Sequence, residues 1–570
     1  MNAPRPYAHL ENSVTTLRLI PSSTVFSPAA PASNGRRWWE TGIIYEVYPR
    51  SFQDTNGDGV GDLAGIRQRL PYLRDLGVDA IWITPFFRSP MADFGYDVAD
   101  YCDVDPVFGT MADFDAMLHD AHAMGIRVIV DFVPNHTSSQ HPWFLESRSS
   151  RDNPKRNWYI WHEGRTDDHG NRLPPNNWET FFGGSAWTFD DATGQYYLHM
   201  FLEQQPDLNW RTPEVVAAMQ DVLHFWLRKG VDGFRLDAIT ILIKHDEFPD
   251  MPDDEDDTLY GGDLLLRLVD VHNQPELHPI LRGFRAITDS YSGDRVLIAE
   301  TGAADFEELM EFCGSELNEI QLPMNLNTML LPWSANTMRQ SIEAYYAALH
   351  PGATPNFVFG NHDKSRFATR YGDENHRAIN TMLLTLWGAP TLYYGDELGM
   401  PDGRILPEQQ KDPFITRYSE FGLGRDPERT PMQWDDSPNG GFCSPHAEPW
   451  LPMFTRFPSS VAAQETDPTS TLNYCKQLIR LRRQFAALQD GSIRFIDTAE
   501  KSDEVLVYLR ESHERILVAI NFGGASRVID VSALSGHASP LLSSRLDTPQ
   551  MLSASSVELR PYESLLLSLT

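Results

Sequence analysis

The sequence predicts an α/β fold, a (β/α)8 barrel (TIM barrel) with a subdomain inserted after its third strand and a C-terminal antiparallel β domain. Three observations predict this fold. Eight short apolar runs alternate with amphipathic helical patterns, as they do when parallel strands are buried between helices. About a hundred residues separate the third run from the fourth. From about residue 490 onward, strand-like runs follow one another with no long helical pattern between them.

The eight runs are rich in β-branched and aromatic residues, and polar residues end each of them. They are IIYEVY (43–48), AIWITP (80–85), RVIVDFVP (127–134), GFRLDAI (233–239), VLIAETG (296–302), EIQLPMN (319–325), NFVFGNHD (356–363) and TLYYGDE (391–397). Helical patterns such as DLAGIRQRLPYLRDLG (62–77) and TPEVVAAMQDVLHFWLRKG (212–230) lie between them. Eight strand–helix units in one chain indicate a closed barrel.

The long gap after the third strand predicts a separate subdomain at residues 136–206, since one helix needs far fewer residues. This segment is rich in Trp, Asn, Pro and Gly, and it would lie over the barrel mouth. The barrel itself is predicted at residues 38–135 and 207–487. The acidic segment DEFPDMPDDEDD (246–257) reads as a solvated loop.

Both ends of the chain differ from the barrel in composition. Residues 1–37 are rich in Pro, Ser and Ala, and they read as a mobile tail. Residues 488–570 contain strands and turns, such as EVLVYLRESHERILVAINFGG and SVELRPYESLLLSL. They predict a small β-sandwich domain.

Charge and cysteine content exclude several classes of function. The net charge of −32 argues against nucleic acid and anionic membranes as partners, because phosphates need clusters of Lys and Arg. The four cysteines stand far apart, which fits neither a zinc site nor a disulfide framework. With no bilayer-length apolar run and no signal-peptide pattern, we expect a cytoplasmic protein. The sequence leaves a monomer or a homodimer open.

Polar residues collect at the carboxyl ends of the predicted strands, where barrel enzymes have their active sites. They are Asp131, Asn135 and His136 after strand three, Arg235 and Asp237 on strand four, Glu300 on strand five, His362 and Asp363 on strand seven, and Asp396 and Glu397 on strand eight. A single acid at a strand end is usually a helix cap or half of a salt bridge. Several acids converging on one mouth raise one another's pKa, a cost in stability that indicates chemistry.

A pair of carboxyl groups flanking a sugar–sugar bond is what glycoside hydrolysis requires. Neutral sugars also need aromatic faces and hydrogen-bonding groups, and the loops supply these side chains: Tyr96, Trp143, Trp158, Trp187, His136 and His362. Taken singly, each Trp is more simply explained as core of the inserted subdomain. The hypothesis of a sugar site therefore depends on the acids.

The motifs resemble glycoside hydrolase family 13, the α-amylase family, and within it the α-glucosidase branch. DFVPNH (131–136), GFRLDAI (233–239), LIAETG (297–302) and FGNHD (359–363) match the family's four main motifs in order. QPDLN (205–209) and RTPMQWD (429–435) resemble stretches typical of its α-glucosidases. The resemblance runs from about Trp38 to the C-terminus and implies the barrel fold predicted above.

The resemblance implies roles for nine residues. Asp237 would be the nucleophile, Glu300 the general acid/base and Asp363 the transition-state stabiliser. The substrate-binding residues would be Tyr96, Asp97, His136, Arg235, His362 and Arg429. Arg235, two residues before Asp237, faces the same side of its strand and could hold that acid ionised.

The implied pocket binds one glucose unit. His136 and His362 would bind ring hydroxyls, and Tyr96 would stack on the sugar. Asp97 and Arg429 would bind the non-reducing end and close the pocket, which makes the enzyme exo-acting. Because the family retains configuration, the two catalytic carboxyls are expected about 5–5.5 Å apart.

The segment DTNGDGVGD (54–62) resembles the start of a calcium-binding loop. Asp54, Asn56, Asp58, the Val60 carbonyl and Asp62 fill the first five ligand positions, and Gly59 falls at the sharp turn. The closing Glu is missing, since Gly65 stands at position twelve. The resemblance implies a structural Ca²⁺ or Mg²⁺ at this loop and no organic cofactor. A plain Asp/Gly turn without metal is the alternative.

Ala238, next to the proposed nucleophile, bears on the bond cleaved. In the resembling group, Val at this position accompanies α-1,6 preference and Ala or Thr accompanies α-1,4 preference. We therefore expect an α-1,4-glucosidase acting on maltose and short oligosaccharides, with transglucosylation as a further activity. An α-1,6-glucosidase, a sucrose isomerase or another transglucosylase remains an alternative. The RLDRD loop expected of sucrose isomerases is absent after NHD, where the chain reads NHDKSRFATRYG (361–372). A non-catalytic sugar-binding protein would lack one of the acids, and this chain has all three.

Overall fold

The computed structural model describes residues 15–29, 35–251, 272–414, 424–453, 460–498, 503–534 and 537–570. In these ranges the strands are β1 (Thr15–Pro21), β2 (Ile44–Val47), β3 (Ala80–Ile83), β4 (Phe87–Arg88), β5 (Asp100–Val104), β6 (Arg127–Phe132), β7 (Trp161–His162), β8 (Arg165–Thr166), β9 (Arg172–Leu173), β10 (Trp187–Asp190), β11 (Gln195–Leu198), β12 (Gly233–Leu236), β13 (Val296–Ala299), β14 (Leu322–Pro323), β15 (Asn356–Val358), β16 (Ala389–Tyr393), β17 (Ser492–Thr498), β18 (Val505–Glu511), β19 (Arg515–Asn521), β20 (Arg527–Asp530), β21 (Ala538–Ser543), β22 (Met551–Ser553), β23 (Ser556–Leu559) and β24 (Ser564–Leu569).

The α-helices in the same ranges are α1 (Pro49–Phe52), α2 (Leu63–Leu76), α3 (Met111–Ala123), α4 (Pro142–Ser149), α5 (Pro213–Lys229), α6 (Leu277–Asp289), α7 (Phe306–Glu311), α8 (Ala335–Ala348), α9 (Phe367–Tyr371), α10 (His376–Thr385), α11 (Val461–Thr466), α12 (Thr471–Gln484) and α13 (Ala486–Gln489).

The eight predicted strands form one parallel barrel. Around it the order is β2, β3, β6, β12, β13, β14, β15 and β16, and β16 pairs again with β2. The barrel closes between β14 and β15 at an isolated parallel bridge from Asn325 to Phe357. The prediction of a (β/α)8 barrel is confirmed.

Side chains alternate between the inside of the barrel and its helical coat, as the period of a strand requires. Ile44, Trp82 and Ile129 belong to a buried apolar cluster inside the barrel. Two residues further along β2 and β6, Glu46 and Asp131 therefore point inward too. Polar groups thus enter the barrel at the carboxyl ends of its strands.

The two helices predicted from the sequence begin and end where local chemistry requires. The Asp62 side chain caps α2 by accepting a hydrogen bond from the Gly65 N–H, and Gly77 ends the helix at a φ of 100°. A residue with a Cβ is strained at that φ, so glycine is the natural stop. Pro213 opens α5 and Gly230 ends it in the same left-handed conformation.

The inserted segment forms a small subdomain over the barrel mouth. It contains α4, the hairpin β8–β9 and the sheet β10–β11–β7. Where the chain leaves and re-enters the barrel, His136 and Asp207 pair across an antiparallel bridge. Trp178 and Trp187 lie in its apolar core, which agrees with the core interpretation of Trp187. The core also includes Ile241, from the loop after β12, so the subdomain is anchored beside the site.

The C-terminal strands form a nine-stranded sheet that includes a strand from the N-terminal segment. β1 pairs antiparallel with β17 and parallel with β20, and its Leu17 and Leu19 are buried in the core of this sheet. The prediction that all of residues 1–37 form a mobile tail is therefore wrong for residues 15–21. Their alternating apolar side chains find a partner sheet almost five hundred residues away, which no local pattern reveals.

Parts of two predicted segments lie outside the described residues. They are residues 1–14 and 30–34 of the predicted tail and residues 252–257 of the acidic segment. No helix in the described part of the chain is both long enough and apolar enough to cross a bilayer.

The pairing of β1 makes a testable prediction. Replacing the buried Leu17 by Ala should lower the free energy of unfolding by about 2–5 kcal/mol, because it leaves a cavity in the core of the C-terminal sheet. Ile20→Ala is the control, since Ile20 is 50% exposed and should change stability by no more than about 0.5 kcal/mol. Urea unfolding of the full chain measures the free energy of unfolding of both variants. Equally small changes in the two variants would contradict the pairing of β1.

Candidate active site

One guanidinium group joins the acids of three barrel strands. Arg235 is fully buried on β12. Its Nη1 lies 2.5 Å from Asp237 Oδ1 and 3.1 Å from Asp131 Oδ1, and its Nη2 lies 2.5 Å from Glu300 Oε2. The proposed nucleophile and the proposed general acid/base are thus held by the two ends of one planar group. This fork fixes the position of both carboxylates.

Asp131 connects this cluster to the aromatic side of the site. Its Oδ2 accepts hydrogen bonds from Trp82 Nε1 at 3.2 Å and from the Tyr96 hydroxyl at 3.3 Å. The same hydroxyl lies 2.7 Å from His362 Nε2. Six predicted or candidate residues, from five separate segments of the chain, therefore form one continuous hydrogen-bonded network.

Asp363, the third acid, faces the others from the end of β15 and is held by two arginines. Arg429 Nη2 lies 2.8 Å from Asp363 Oδ1, and Arg425 Nη1 lies 3.1 Å from the same oxygen. Burial would raise the pKa of Asp363, but the nearby guanidinium groups of Arg425 and Arg429 help to hold it below its usual range. Asp363 therefore stays ionised, as a group that stabilises positive charge must.

Asp237 lies in a different electrostatic environment. Burial raises the pKa of Asp237 well above its usual value, Arg235 opposes this, and Glu300 and Asp131 add to the rise. The expectation that Arg235 holds Asp237 ionised is therefore only partly met, because this cation divides its charge among three acids. Arg235 nevertheless favours the carboxylate form of Asp237, which is the form that a nucleophile requires.

His136 is held from behind by a buried ion pair. Lys244 Nζ lies 2.7 Å from Asp207 Oδ2 and 2.7 Å from Asn135 Oδ1, and Asn135 Nδ2 lies 3.1 Å from His136 Nδ1. Because Nδ1 accepts this bond, Nε2 carries the hydrogen. Burial lowers the pKa of His136 to about 4, so the ring is neutral at pH 7. The Asp of the QPDLN motif thus orients a histidine of the site.

The structure places Asp97 outside the pocket, contrary to the sequence prediction. Its fully buried carboxylate accepts hydrogen bonds from the Ser89 hydroxyl and from the N–H groups of Ala92 and Asp93. These bonds shape the tight loop that carries Tyr96, in which Phe94 has a φ of 49°. Asp97 is a structural residue of this loop.

The acid that faces the pocket is Asp93, which sequence reasoning missed. Its Oδ1 lies 2.8 Å from Arg425 Nη2, and its Oδ2 lies 3.2 Å from Gln205 Nε2. Arg429, predicted to close the pocket, lies behind Asp363 and is 1% exposed. The charged pair that faces the pocket is Asp93 with Arg425. The signal was available, since Arg425 stands four residues before Arg429 in GRDPERTPMQWD.

The three acids open into a cavity of about 210 Å³ under the inserted subdomain. The predicted residues in its wall are Tyr96, His136, Asp237, Glu300 and Asp363. The unpredicted ones include Asp93 and Arg425 and an apolar rim of Phe181, Phe182, Phe201, Phe414, Ile241 and Leu326. The cavity is small for a ligand site, and its volume suits one sugar ring.

Ala238 also lies in the wall of this cavity, in a strained conformation. Its φ of 47° and ψ of 34° place it in the left-handed region. Such a conformation at a residue other than glycine is common at functional sites. It turns the chain sharply after Asp237 and leads Thr240 and Ile241 along the cavity wall.

Two acids at the end of the eighth strand serve the fold. Glu397 is fully buried and accepts hydrogen bonds from Tyr45 and Tyr72. Asp396 accepts the N–H of Tyr393 at 3.0 Å. Neither residue is part of the cavity wall.

The DTNGDGVGD loop lies beside the site, after β2. The Asp54 carboxylate accepts the N–H groups of Asn56, Gly57 and Gly59, and Asp62 accepts the N–H of Thr55. Oxygen donors alone suit a hard cation such as Ca²⁺ or Mg²⁺. Among the described residues, no three Asp, Glu, His or Cys side chains stand close enough together to hold a metal ion. The oxygen donors of the loop therefore suit a cation, and in this structure its carboxylates accept hydrogen bonds from backbone N–H groups.

Comparisons with known proteins agree with this geometry. The profile of the family described as "Alpha amylase, catalytic domain" matches residues 46–491. A probable alpha-glucosidase of Rhizobium meliloti is 40% identical over 507 residues, which cover 85% of this chain and 89% of that protein. An oligo-1,6-glucosidase of Parageobacillus thermoglucosidasius is 35% identical over 571 residues, covering 93% and 98%.

A solved structure extends the likeness to the whole fold. The trehalulose synthase MutB from Pseudomonas mesoacidophila superposes with a TM-score of 0.85 at 34% identity, covering 94% of this chain and 100% of that one. With the family profile over most of the chain and the acids of three strands on one arginine, the chain belongs to the α-amylase family, glycoside hydrolase family 13, in its α-glucosidase branch.

Proposed function

We propose that this glycoside hydrolase is a retaining, exo-acting α-glucosidase that cleaves the α-1,4 bonds of maltose and short oligosaccharides from the non-reducing end. The observation that carries the proposal is the position of Arg235, whose guanidinium bonds to both Asp237 and Glu300 in the wall of a one-sugar cavity. A retaining mechanism needs its two carboxyls about 5–5.5 Å apart, and bonding to the two ends of one guanidinium is compatible with that spacing.

The roles follow from position and protonation. Asp237 attacks the anomeric carbon and forms the glycosyl-enzyme, while Glu300 protonates the leaving oxygen and then activates water. Asp363, kept ionised by Arg425 and Arg429, stabilises the positive charge of the transition state. Tyr96, His136 and His362 bind the glucose ring. When a second sugar replaces water, the same steps transfer the glucosyl group.

Exo action is supported by an ion pair in the cavity wall. The Asp93–Arg425 pair, which Gln205 also contacts, would stand across the path of a longer chain. A polymer cannot pass such a wall, so only the terminal glucose unit enters. The carboxylate and the guanidinium would bind the hydroxyls of the non-reducing end.

The bond preference rests on Ala238, whose small side chain lies in the cavity wall next to Asp237. A change of one methylene group there is worth only about 1–3 kcal/mol of discrimination. The relatives include an oligo-1,6-glucosidase and a trehalulose synthase. Cleavage of α-1,6 bonds and sucrose isomerisation are therefore the alternative functions.

Sugar release from four disaccharides tests the proposal. Glucose should appear quickly from maltose and slowly from isomaltose, with little turnover of sucrose or trehalose, since Ala238 favours the α-1,4 bond. Faster release from isomaltose would reverse the bond preference. Loss of sucrose without free glucose and fructose would make the enzyme an isomerase or transferase. The Asp237→Asn variant is the control and should be inactive on all four substrates, because it has no nucleophile.

The exchange of roles between Asp93 and Asp97 gives a matched pair of variants. Asp93→Asn should lower kcat/KM on the order of 10- to 100-fold, because it removes a charged hydrogen-bonding group worth about 1.5–3 kcal/mol from the pocket. Asp97→Asn should chiefly lower the thermal unfolding temperature, because an amide cannot accept all three loop hydrogen bonds. If the Asp97 variant were as stable as the unmodified enzyme and lost more kcat/KM than the Asp93 variant, Asp97 would again be the sugar-binding acid.

We also propose that Asp54, Asn56, Asp58, the Val60 carbonyl and Asp62 hold a structural Ca²⁺ or Mg²⁺. The thermal unfolding temperature of the chelator-treated protein should rise when either cation is added. At a hundred times the Kd, the free energy of unfolding should increase by about 2.7 kcal/mol. Asp58→Ala removes an exposed ligand and should abolish the shift. Identical unfolding with chelator and with either cation would exclude the metal site.

A further inference from the structure

Glu46 is a buried acid of the barrel interior that the mechanism above does not use. It lies on β2, in register with Trp82 of β3 and Tyr393 of β16. Its side chain is fully buried, and its Oε1 lies 2.6 Å from His362 Nδ1. Its Oε2 has no hydrogen-bond partner among the described residues. An acid buried this deeply without a cation at bonding distance calls for an explanation.

The ring that Glu46 contacts is fixed on every side. The rings of Tyr96 and Tyr48 lie nearly parallel to that of His362, with ring centroids 5.4 Å and 5.7 Å away, and the Trp82 ring stands steeply inclined to it at 6.1 Å. Its Nε2 lies 2.7 Å from the Tyr96 hydroxyl and 3.3 Å from Asp363 Oδ2. Glu46 therefore contacts the ring nitrogen opposite the one that faces Tyr96 and Asp363.

The hydrogens of this ring follow from its neighbours. Nε2 faces two oxygens, and one of them belongs to the ionised Asp363, so a bare lone pair there would be repelled. Nε2 therefore carries a hydrogen, and the Tyr96 hydroxyl can then donate its own to Asp131. The 2.6 Å separation between Glu46 Oε1 and His362 Nδ1 requires a second hydrogen between those atoms.

Burial, acting against and together with the charges around the pair, decides where that second hydrogen resides. Arg235, Arg425 and Arg429 disfavour a cationic imidazole, although the nearby Asp363 favours one. On the acid, Arg235 favours the carboxylate, whereas Asp363 and Asp131 disfavour it. Burial outweighs these pairwise effects, raising the pKa of Glu46 and lowering that of His362. A neutral carboxylic acid on Glu46 beside a neutral imidazole ring on His362 agrees with both of these pKa shifts.

We infer that Glu46 is a positioning residue that, as an uncharged carboxylic acid, donates its hydrogen to His362 Nδ1 and so holds the Nε2–H of that ring toward Asp363 and the glucose subsite. The inference rests on the proposed role of His362 in the α-glucosidase reaction. It adds a supporting residue to that role, because Glu46 on the first barrel strand sets the tautomer of His362, which follows the seventh.

Two variants of the full chain separate a donor from a space-filling group. Glu46→Gln keeps the shape and can donate an N–H to Nδ1, so kcat/KM should stay within about threefold of the unmodified enzyme. Glu46→Met has nearly the same length and no donor. It should lose kcat/KM on the order of 10- to 100-fold, as happens when a ligating histidine loses its orienting partner. Both are assayed with whichever of the four disaccharides the unmodified enzyme cleaves fastest, so a wrong bond preference does not affect the result.

A double-mutant cycle links the effect to His362. In a His362→Ala background, Glu46→Met should cause no further loss, whereas independent structural damage would add to it. Full activity in the Met variant, equal losses in the Gln and Met variants, or additive losses in the cycle would each overturn the inference. Should the Met variant fail to fold by circular dichroism, the Gln variant decides alone, and a tenfold or greater loss there overturns it.

Discussion

The site depends on one buried cation. Arg235 is surrounded by carboxylates of β6, of the chain after β12 and of β13, and removing it would leave three acids together inside the barrel without a partner. A buried charge is tolerated only where its hydrogen bonds are nearly complete. This requirement fixes the relative positions of three strands, and with them the geometry on which the proposed chemistry relies. Stability and function are therefore linked through the same side chain.

Around this centre, the groups proposed to face the sugar are held by a second layer of polar residues. His136 is oriented through Asn135 by the Lys244–Asp207 ion pair. Asp363 is oriented by two arginines. This second layer comes from strands and loops far apart in the chain, so each sugar-facing group is fixed by at least one distant segment. Such support limits side-chain motion where the reaction requires fixed positions.

The sequence predicted what depends on local pattern and on ordered motifs. The eight strands, the insert and the three acids follow from periodicity and from motif order, and the structure brings those acids together. The roles of the loop residues could not be predicted from periodicity or motif order. Asp93 and Asp97 are both acids in one short segment, and only the hydrogen bonds of the folded loop distinguish the one that binds backbone from the one that faces the cavity. Glu46 was missed because the sequence shows both this acid and His362 but not the contact between them, which joins residues more than three hundred positions apart.

The pairing of β1 has a consequence for synthesis of the chain. Its partners, β17 and β20, lie beyond the whole barrel in the sequence. At about 5–20 residues per second, a ribosome needs on the order of a minute to reach them. During that time the barrel can form, whereas β1 remains an unpaired apolar strand, exposed to the wrong partners. The C-terminal sheet is therefore the last part of the molecule to be completed, and a nascent chain would need chaperone protection longest at its first strand.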